Sequence, residues 1–313
     1  GKVGVNDFLM KILYYIIFSY YNIMNFPKRN KKEILYNFKK LKNYNNKFSK
    51  DQNGNLEIIS DYNNERIFRQ ITDYFTMECR LKCRFKNSKY TPWEYFTNNK
   101  NKLLEESKVN GKLDLDKLED IIYNNRESKF CNTFPVTVAL AIYRHFNAKN
   151  ILDSSAGWGD RLIAAIANNS SYTGVDPSVC LQPLYNNIIS TLQPKNSIAK
   201  YNIINKPFED AKIYGKYDLV FTSPPFFDLE VYENNKKQSI SRYRTHKTWV
   251  TKFLIPLVEK NIKHLEKNGY LVLYVPLYPL FKDYIMNNKN VVYLGKMQFI
   301  TPKIRNIFVW KKL

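Results

Sequence analysis

Apolar positions recur along the chain with two different rhythms, and the change between them falls near residue 126. Upstream, the regular stretches have helical spacing. Within residues 65–85, Ile67, Ile71, Tyr74, Phe75 and Leu81 fall close to one helical face. Downstream, short apolar runs alternate with helix-like segments. Residues 151–152, 172–175, 201–204, 218–221 and 270–275 read as strands, and residues 161–167, 179–192 and 248–265 as helices. The last of these places Trp249, Phe253, Leu257, Val258, Ile262 and Leu265 on one stripe. Two further strands, at 291–300 and 306–310, suit a closing hairpin. Repeated strand–helix alternation predicts a parallel sheet covered by helices on both faces, a doubly wound α/β fold. The expected division is a smaller, basic, mainly helical region at 1–125, for substrate recognition, and a catalytic domain at 126–313.

Composition changes this picture in three places. Residues 8–26 are strongly apolar, but Lys11 interrupts them and several Tyr and Asn dilute them, which favours a buried or partner-facing helix over a membrane span. That helix is a candidate surface for a protein partner or a homodimer. Residues 27–50 carry nine Lys or Arg against one acid, Glu33, with Tyr36, Phe38, Tyr44 and Phe48 interleaved. A solvated helical face and a nucleic-acid surface both fit that run. The net charge of +21 over 313 residues favours polyanionic partners, although an AT-rich coding bias also enriches Lys and Asn. Four cysteines, Cys79, Cys83, Cys131 and Cys180, lack the spacing of a zinc site. Being few and scattered, they suit a reducing compartment, and the expectation is a soluble intracellular protein with no metal.

The chemistry gathers at the carboxyl ends of the expected strands. The first strand runs into Asp153, then Ser155, Ala156, Gly157 and Gly159, before a helix begins near Asp160. Glycines at such a turn let the backbone approach a ligand, and no lysine of a phosphate-binding loop is present. The second strand ends at Asp176-Pro177, an acid able to take two ribose hydroxyls; a dinucleotide would use the same acid. Phe208, Glu209 and Asp210 follow the third strand, where an acid can receive an adenine amino group and the ring can pack beside it. The fourth runs straight into Ser223-Pro224-Pro225-Phe226. Two prolines fix the backbone and remove two donors, leaving a rigid row of acceptors beside an aromatic ring. That arrangement suits a planar heterocycle carrying an amino group.

Together these segments resemble class I S-adenosylmethionine-dependent methyltransferases, and Ser223-Pro224-Pro225-Phe226 resembles the motif of those that methylate adenine N6 or cytosine N4. The resemblance covers roughly residues 130–310. It implies S-adenosylmethionine as cofactor, with Asp153, Ser155, Ala156, Gly157 and Gly159 around its methionine part. Asp176 and Pro177 would hold the ribose, and Phe208, Glu209 and Asp210 the adenine. Thr133, Phe134 and Pro135 resemble the family segment that covers the methionine. Ser223 through Phe226 would hold the reacting base, and Phe227, Asp228 and Tyr232 would line its pocket. Arg242 and Arg244, in the polar run that follows, would meet phosphates.

The resemblance makes DNA the first expectation and RNA its rival, and Ser in the first position leans toward cytosine N4. Two alternatives stay open. Related enzymes with Asn at that position methylate protein glutamine amides, and paired methyltransferases include non-catalytic subunits that bind nucleic acid.

Overall fold

The computed structural model describes residues 26–233, 236–301 and 303–313. Of the apolar stretch at 8–26, expected to form a helix, all but Phe26 lies outside the described residues. No helix among the described residues is long and apolar enough to cross a membrane.

Helix α1 (Lys31–Lys42) is capped by Asn30, whose side chain accepts from the Lys32 amide, and buries Ile34, Phe38 and Leu41. Strands β1 (Lys47–Lys50) and β2 (Leu56–Ile59) form a hairpin around Asp51–Gly54. Helix α2 (Tyr62–Leu81) starts at Asp61, which caps the Asn64 amide. After it come β3 (Arg84–Phe85) and α3 (Pro92–Asn98). At that helix start Thr91 and Glu94 make a reciprocal capping box, with proline in the first turn. Helix α4 (Lys100–Glu106), the hairpin β4 (Lys108–Val109) and β5 (Lys112–Leu113), and α5 (Leu115–Tyr123) complete the region. Phe96, Leu103, Leu118, Ile122 and Phe130 form a small core of their own under these helices.

The second half runs α6 (Val136–His145), β6 (Asn150–Asp153), α7 (Asp160–Ala167), β7 (Ser171–Val175), α8 (Gln182–Leu192), β8 (Tyr201–Ile204) and β9 (Tyr217–Thr222). It continues with β10 (Glu230–Val231), α9 (Ser239–Arg242), α10 (His246–Trp249), α11 (Ile255–His264), β11 (Leu265–Leu273), α12 (Pro279–Met286), β12 (Val291–Thr301) and β13 (Lys303–Lys312). A π-turn at Val250–Leu254 joins α10 to α11, so the single helix expected at 248–265 is one path with a bulge in it.

The main sheet has the order β1-β2-β12-β13-β11-β9-β6-β7-β8. Strands β11, β9, β6, β7 and β8 are parallel, and β13 inserts antiparallel between β11 and β12 as the expected closing hairpin. This is the doubly wound α/β sheet expected from the alternation. Helices α1, α2, α6 and α7 share a core on one face, and α11 with Trp249 and Phe281 packs on the other. Strand order reverses at β6, with β7 on one side and β9 on the other. At such a switch point a crevice opens beyond the carboxyl ends of the strands.

Two features depart from expectation. The N-terminal hairpin extends the main sheet, because β2 pairs in parallel with β12 and covers what would be an open edge. All four cysteines are paired, Cys79 with Cys180 and Cys83 with Cys131. Scattered thiols therefore lend no support to a reducing compartment. Both bridges anchor the end of α2 and the turn after it to the second half of the chain.

Candidate active site

A cavity of about 1080 Å³ opens beyond the carboxyl ends of β6, β7 and β9. That exceeds the ~300–1,000 Å³ typical of a site for one small ligand. Its wall includes Ser155, Gly157, Asp176, Pro177 and Phe208 from the expected cofactor loops, and Thr133, Phe134 and Pro135 from the segment before α6. Ser223, Pro224, Pro225, Phe226 and Tyr232 line it as well. Segments separated by up to a hundred residues thus meet in one space.

Asp176 closes the tip of β7. Its carboxylate accepts from the Gly157 amide at 2.9 Å through Oδ2 and from the Ser178 amide at 2.9 Å through Oδ1. Each oxygen keeps a lone pair for a further donor. Burial pushes this carboxyl up to about 6, and the two amide bonds oppose the rise. Gly157 adopts φ +60°, a conformation side chains disfavour, and so aims its amide at Asp176. The Gly157 carbonyl accepts from the buried Tyr185 hydroxyl, which pins the turn from behind.

At the tip of β9, Pro224 is buried while Ser223, Pro225 and Phe226 are partly open. An aromatic wall faces the cavity here. Phe226 meets Tyr274 edge-on at 5.4 Å, and Tyr274 meets Phe134 at 5.5 Å and Phe299 at 5.6 Å. Trp158, from the glycine turn, crosses Tyr232 at 5.6 Å and donates its indole N–H to the Asn132 carbonyl at 2.9 Å. Glu230 accepts from both the main-chain and side-chain nitrogens of Asn132. These contacts hold the segment that carries Thr133, Phe134 and Pro135 over the strand tips.

Several expected site residues sit behind the wall. Asp153 is fully buried. Its carboxylate accepts from Arg161 Nε at 2.7 Å, the Tyr172 hydroxyl at 2.6 Å and Thr222 Oγ1 at 2.8 Å. It braces three elements from below and has no surface on the cavity. Ala156 is buried too, with its amide bonded to the Val175 carbonyl. Gly159 caps α7 at φ +97°, and a Cβ there would lie 2.8 Å from Ile188 Cδ1, so close helix packing explains that glycine. Glu209 and Asp210 lie outside the cavity wall and face Arg242, whose guanidinium is 2.7 Å from Asp210 Oδ2 and 3.4 Å from Glu209 Oε1. Arg242 is thereby neutralised at that position. Phe227, at φ +50°, packs on Trp249 and His246, Asp228 pairs with Lys86 at 2.7 Å, and Arg244 is exposed. None of these three lines the cavity.

The structure also supplies wall residues that no motif marks. Tyr274 from the end of β11, Phe299 and Arg305 from the closing hairpin, Gln238 from the start of α9, and Phe85 and Lys129 all face the cavity. A strand position followed by an aromatic is the only sequence signal Tyr274 carries. The others depend on pairing between distant segments.

No family model matches the chain, and no curated protein matches it. Among solved structures it is similar to TrmN from Thermus thermophilus, with 15% identity and a TM-score of 0.43 over 58% of this chain and 50% of that one. A methyltransferase from Pyrococcus furiosus aligns at 15% identity and TM-score 0.42, covering 69% of this chain and 99% of that chain. The magnesium protoporphyrin IX methyltransferase of Synechocystis PCC 6803, solved with bound SAM, aligns at 12% identity and TM-score 0.43, over 70% of this chain and 94% of its own. These likenesses concern the path of the chain alone.

Proposed function

We infer that the cavity binds S-adenosylmethionine and transfers its methyl group to the exocyclic amine of a nucleic-acid base. One observation carries this reading: Ser223-Pro224-Pro225-Phe226 and Asp176 with Gly157 line the same cavity. The residues fit the cofactor. Asp176 offers two carboxylate oxygens with lone pairs to spare for ribose hydroxyls, Phe208 and Pro207 offer an apolar flank for adenine, and the space left beyond suits a second planar ligand.

An exocyclic base amine is a weak nucleophile because its lone pair is delocalised into the ring. When bound, the cofactor would supply an electrophilic sulfonium methyl for the nitrogen lone pair, with the thioether as leaving group. Ser223 Oγ and the Pro224 carbonyl accept the two N–H groups, which draws the nitrogen toward tetrahedral geometry and localises its pair. The prolines hold both acceptors without reorganisation, so rate comes from positioning and preset dipoles. Phe226 and Tyr274 stack against the base, and the proton lost from nitrogen passes to water.

The test is direct. The protein is incubated with methyl-labelled S-adenosylmethionine and separate pools of duplex DNA, single-stranded DNA, RNA and protein. Nucleosides and amino acids are then read by mass. The expected label is N6-methyladenine or N4-methylcytosine, and the sugar identifies DNA or RNA. Label confined to glutamine amides would replace this reading with the protein-amide alternative.

A further inference from the structure

The mouth of the cavity is built from parts that the methyl-transfer chemistry does not use. Strand β3, from the N-terminal region, pairs antiparallel with β10, so that Phe85 lies opposite Glu230 and Arg84 opposite Val231. The Lys86 amide donates to the Leu229 carbonyl at 2.9 Å and extends that pairing. Phe85 is thereby fixed across from a residue four positions beyond Phe226. Its ring is partly exposed and lines the same cavity. The Lys129 ammonium rests over that ring, 4.2 Å from its centroid, and has no carboxylate partner among the described residues.

A second cation stands on the closing hairpin. Arg305 pairs with Phe299 across β12 and β13, is exposed, and lines the cavity with no ion pair among the described residues. It acts on Tyr274 as well: burial raises that phenol and Arg305 opposes the rise. This contrasts with Arg242, whose charge is satisfied by Glu209 and Asp210, and with Lys86, which is paired with Asp228. Among the described residues, two exposed cavity-lining cations thus have no ion pair: Lys129, over the Phe85 ring, and Arg305, on the closing hairpin.

We propose that this rim is a grip for a single strand of nucleic acid, with Lys129 and Arg305 meeting the phosphates that flank the target nucleotide and Phe85 stacking on a neighbouring base. Aromatic platforms set among cations bind single strands without regard to sequence, because every base has a π-face. A paired neighbour would already be stacked in its duplex and could not lie on Phe85. The grip rests on the base-methylation reading and adds to it the strand state of the substrate.

The test uses fluorescence anisotropy with a labelled 15-nucleotide single strand and its duplex, on the full chain and on Phe85→Ala, Lys129→Ala and Arg305→Ala. Calorimetric binding of S-adenosylmethionine checks that each variant keeps its fold and cofactor loops. The expected result is tighter binding of the single strand than of the duplex, with about tenfold loss in Phe85→Ala. Lys129→Ala and Arg305→Ala should each reduce the slope of log affinity against log salt by about 0.7. Unchanged single-strand affinity and slope in all three variants, with base methylation intact, would overturn the grip and leave the methylation reading standing. Preference for duplex would also overturn it. Label found only in protein amides would remove both.

Discussion

The two sides of the cavity are built in opposite ways. The strand-tip side is made of local turns: Asp176 directly follows β7 and Ser223 directly follows β9, so both candidate groups stand at a strand end. The outer side is made of distant pieces brought together by pairing, such as Phe85 through β10 and Arg305 through β12. On the proposed reading, the first side needs a fixed backbone to position a cofactor and an amine. The second needs only charge and an open ring. Each element of the first is braced from behind by buried polar bonds, while the cations of the second face water.

The comparison is broken most severely at Asp153. If this acid braces the strand tips, Asp153→Ala leaves Arg161 buried without its carboxylate, and unfolding by urea should show a loss of about 3–5 kcal/mol. A cofactor ligand in its place would instead lower S-adenosylmethionine affinity and leave stability nearly unchanged. The seam between the two sides is next. Cys79–Cys180 and Cys83–Cys131 tie α2 to segments just after Asp176 and just before Thr133. Replacing either pair with serine should cost about 2–4 kcal/mol in urea unfolding. Cofactor affinity should weaken with it, because both tethered segments line the cofactor half.

A smaller effect separates the sides by pH. Asp176 is raised to about 6 by burial, and on the proposed reading its ionised form is the one that accepts ribose hydroxyls. Affinity for S-adenosylmethionine should therefore fall about tenfold between pH 7 and pH 5, measured by calorimetry, whereas a site held by uncharged groups would show no such fall. The smallest belongs to the start of α2. Glu65, at the start of α2, is raised to about 8 by burial first and then by repulsion from Asp160. A carboxyl raised in the folded state stabilises most when protonated, below its unfolded value of 4.5, and that contribution is lost as pH rises through about 8. Glu65→Gln should melt about 2–4 °C above the parent at pH 9, with the gap closing by pH 5.

Legibility in the sequence follows the same division. Asp176 and Ser223 through Phe226 could be placed because a strand, its end and its turn are contiguous and carry their own periodicity. The closing hairpin was readable for the same reason. Asp153 was readable as an acid at a strand end, but its occupation by Arg161, Tyr172 and Thr222 depends on three elements meeting, which spacing does not reveal. Strand β3 has two residues, too few for any alternation, so nothing local marked Phe85 as a neighbour of the segment after Ser223-Pro224-Pro225-Phe226. The cysteine pairs span 101 and 48 residues, and only the packing of α2 against the second half brings them together.

The central claim is that one cavity holds both an adenosyl cofactor and the acceptor motif in reacting positions. A crystal structure of the protein with S-adenosylhomocysteine tests it most directly. The expected complex has the ribose hydroxyls on Asp176, the adenine against Phe208, and the sulfur directed at Ser223-Pro224-Pro225-Phe226. Folded protein that binds the ligand elsewhere, or with its sulfur turned away from that motif, would contradict it.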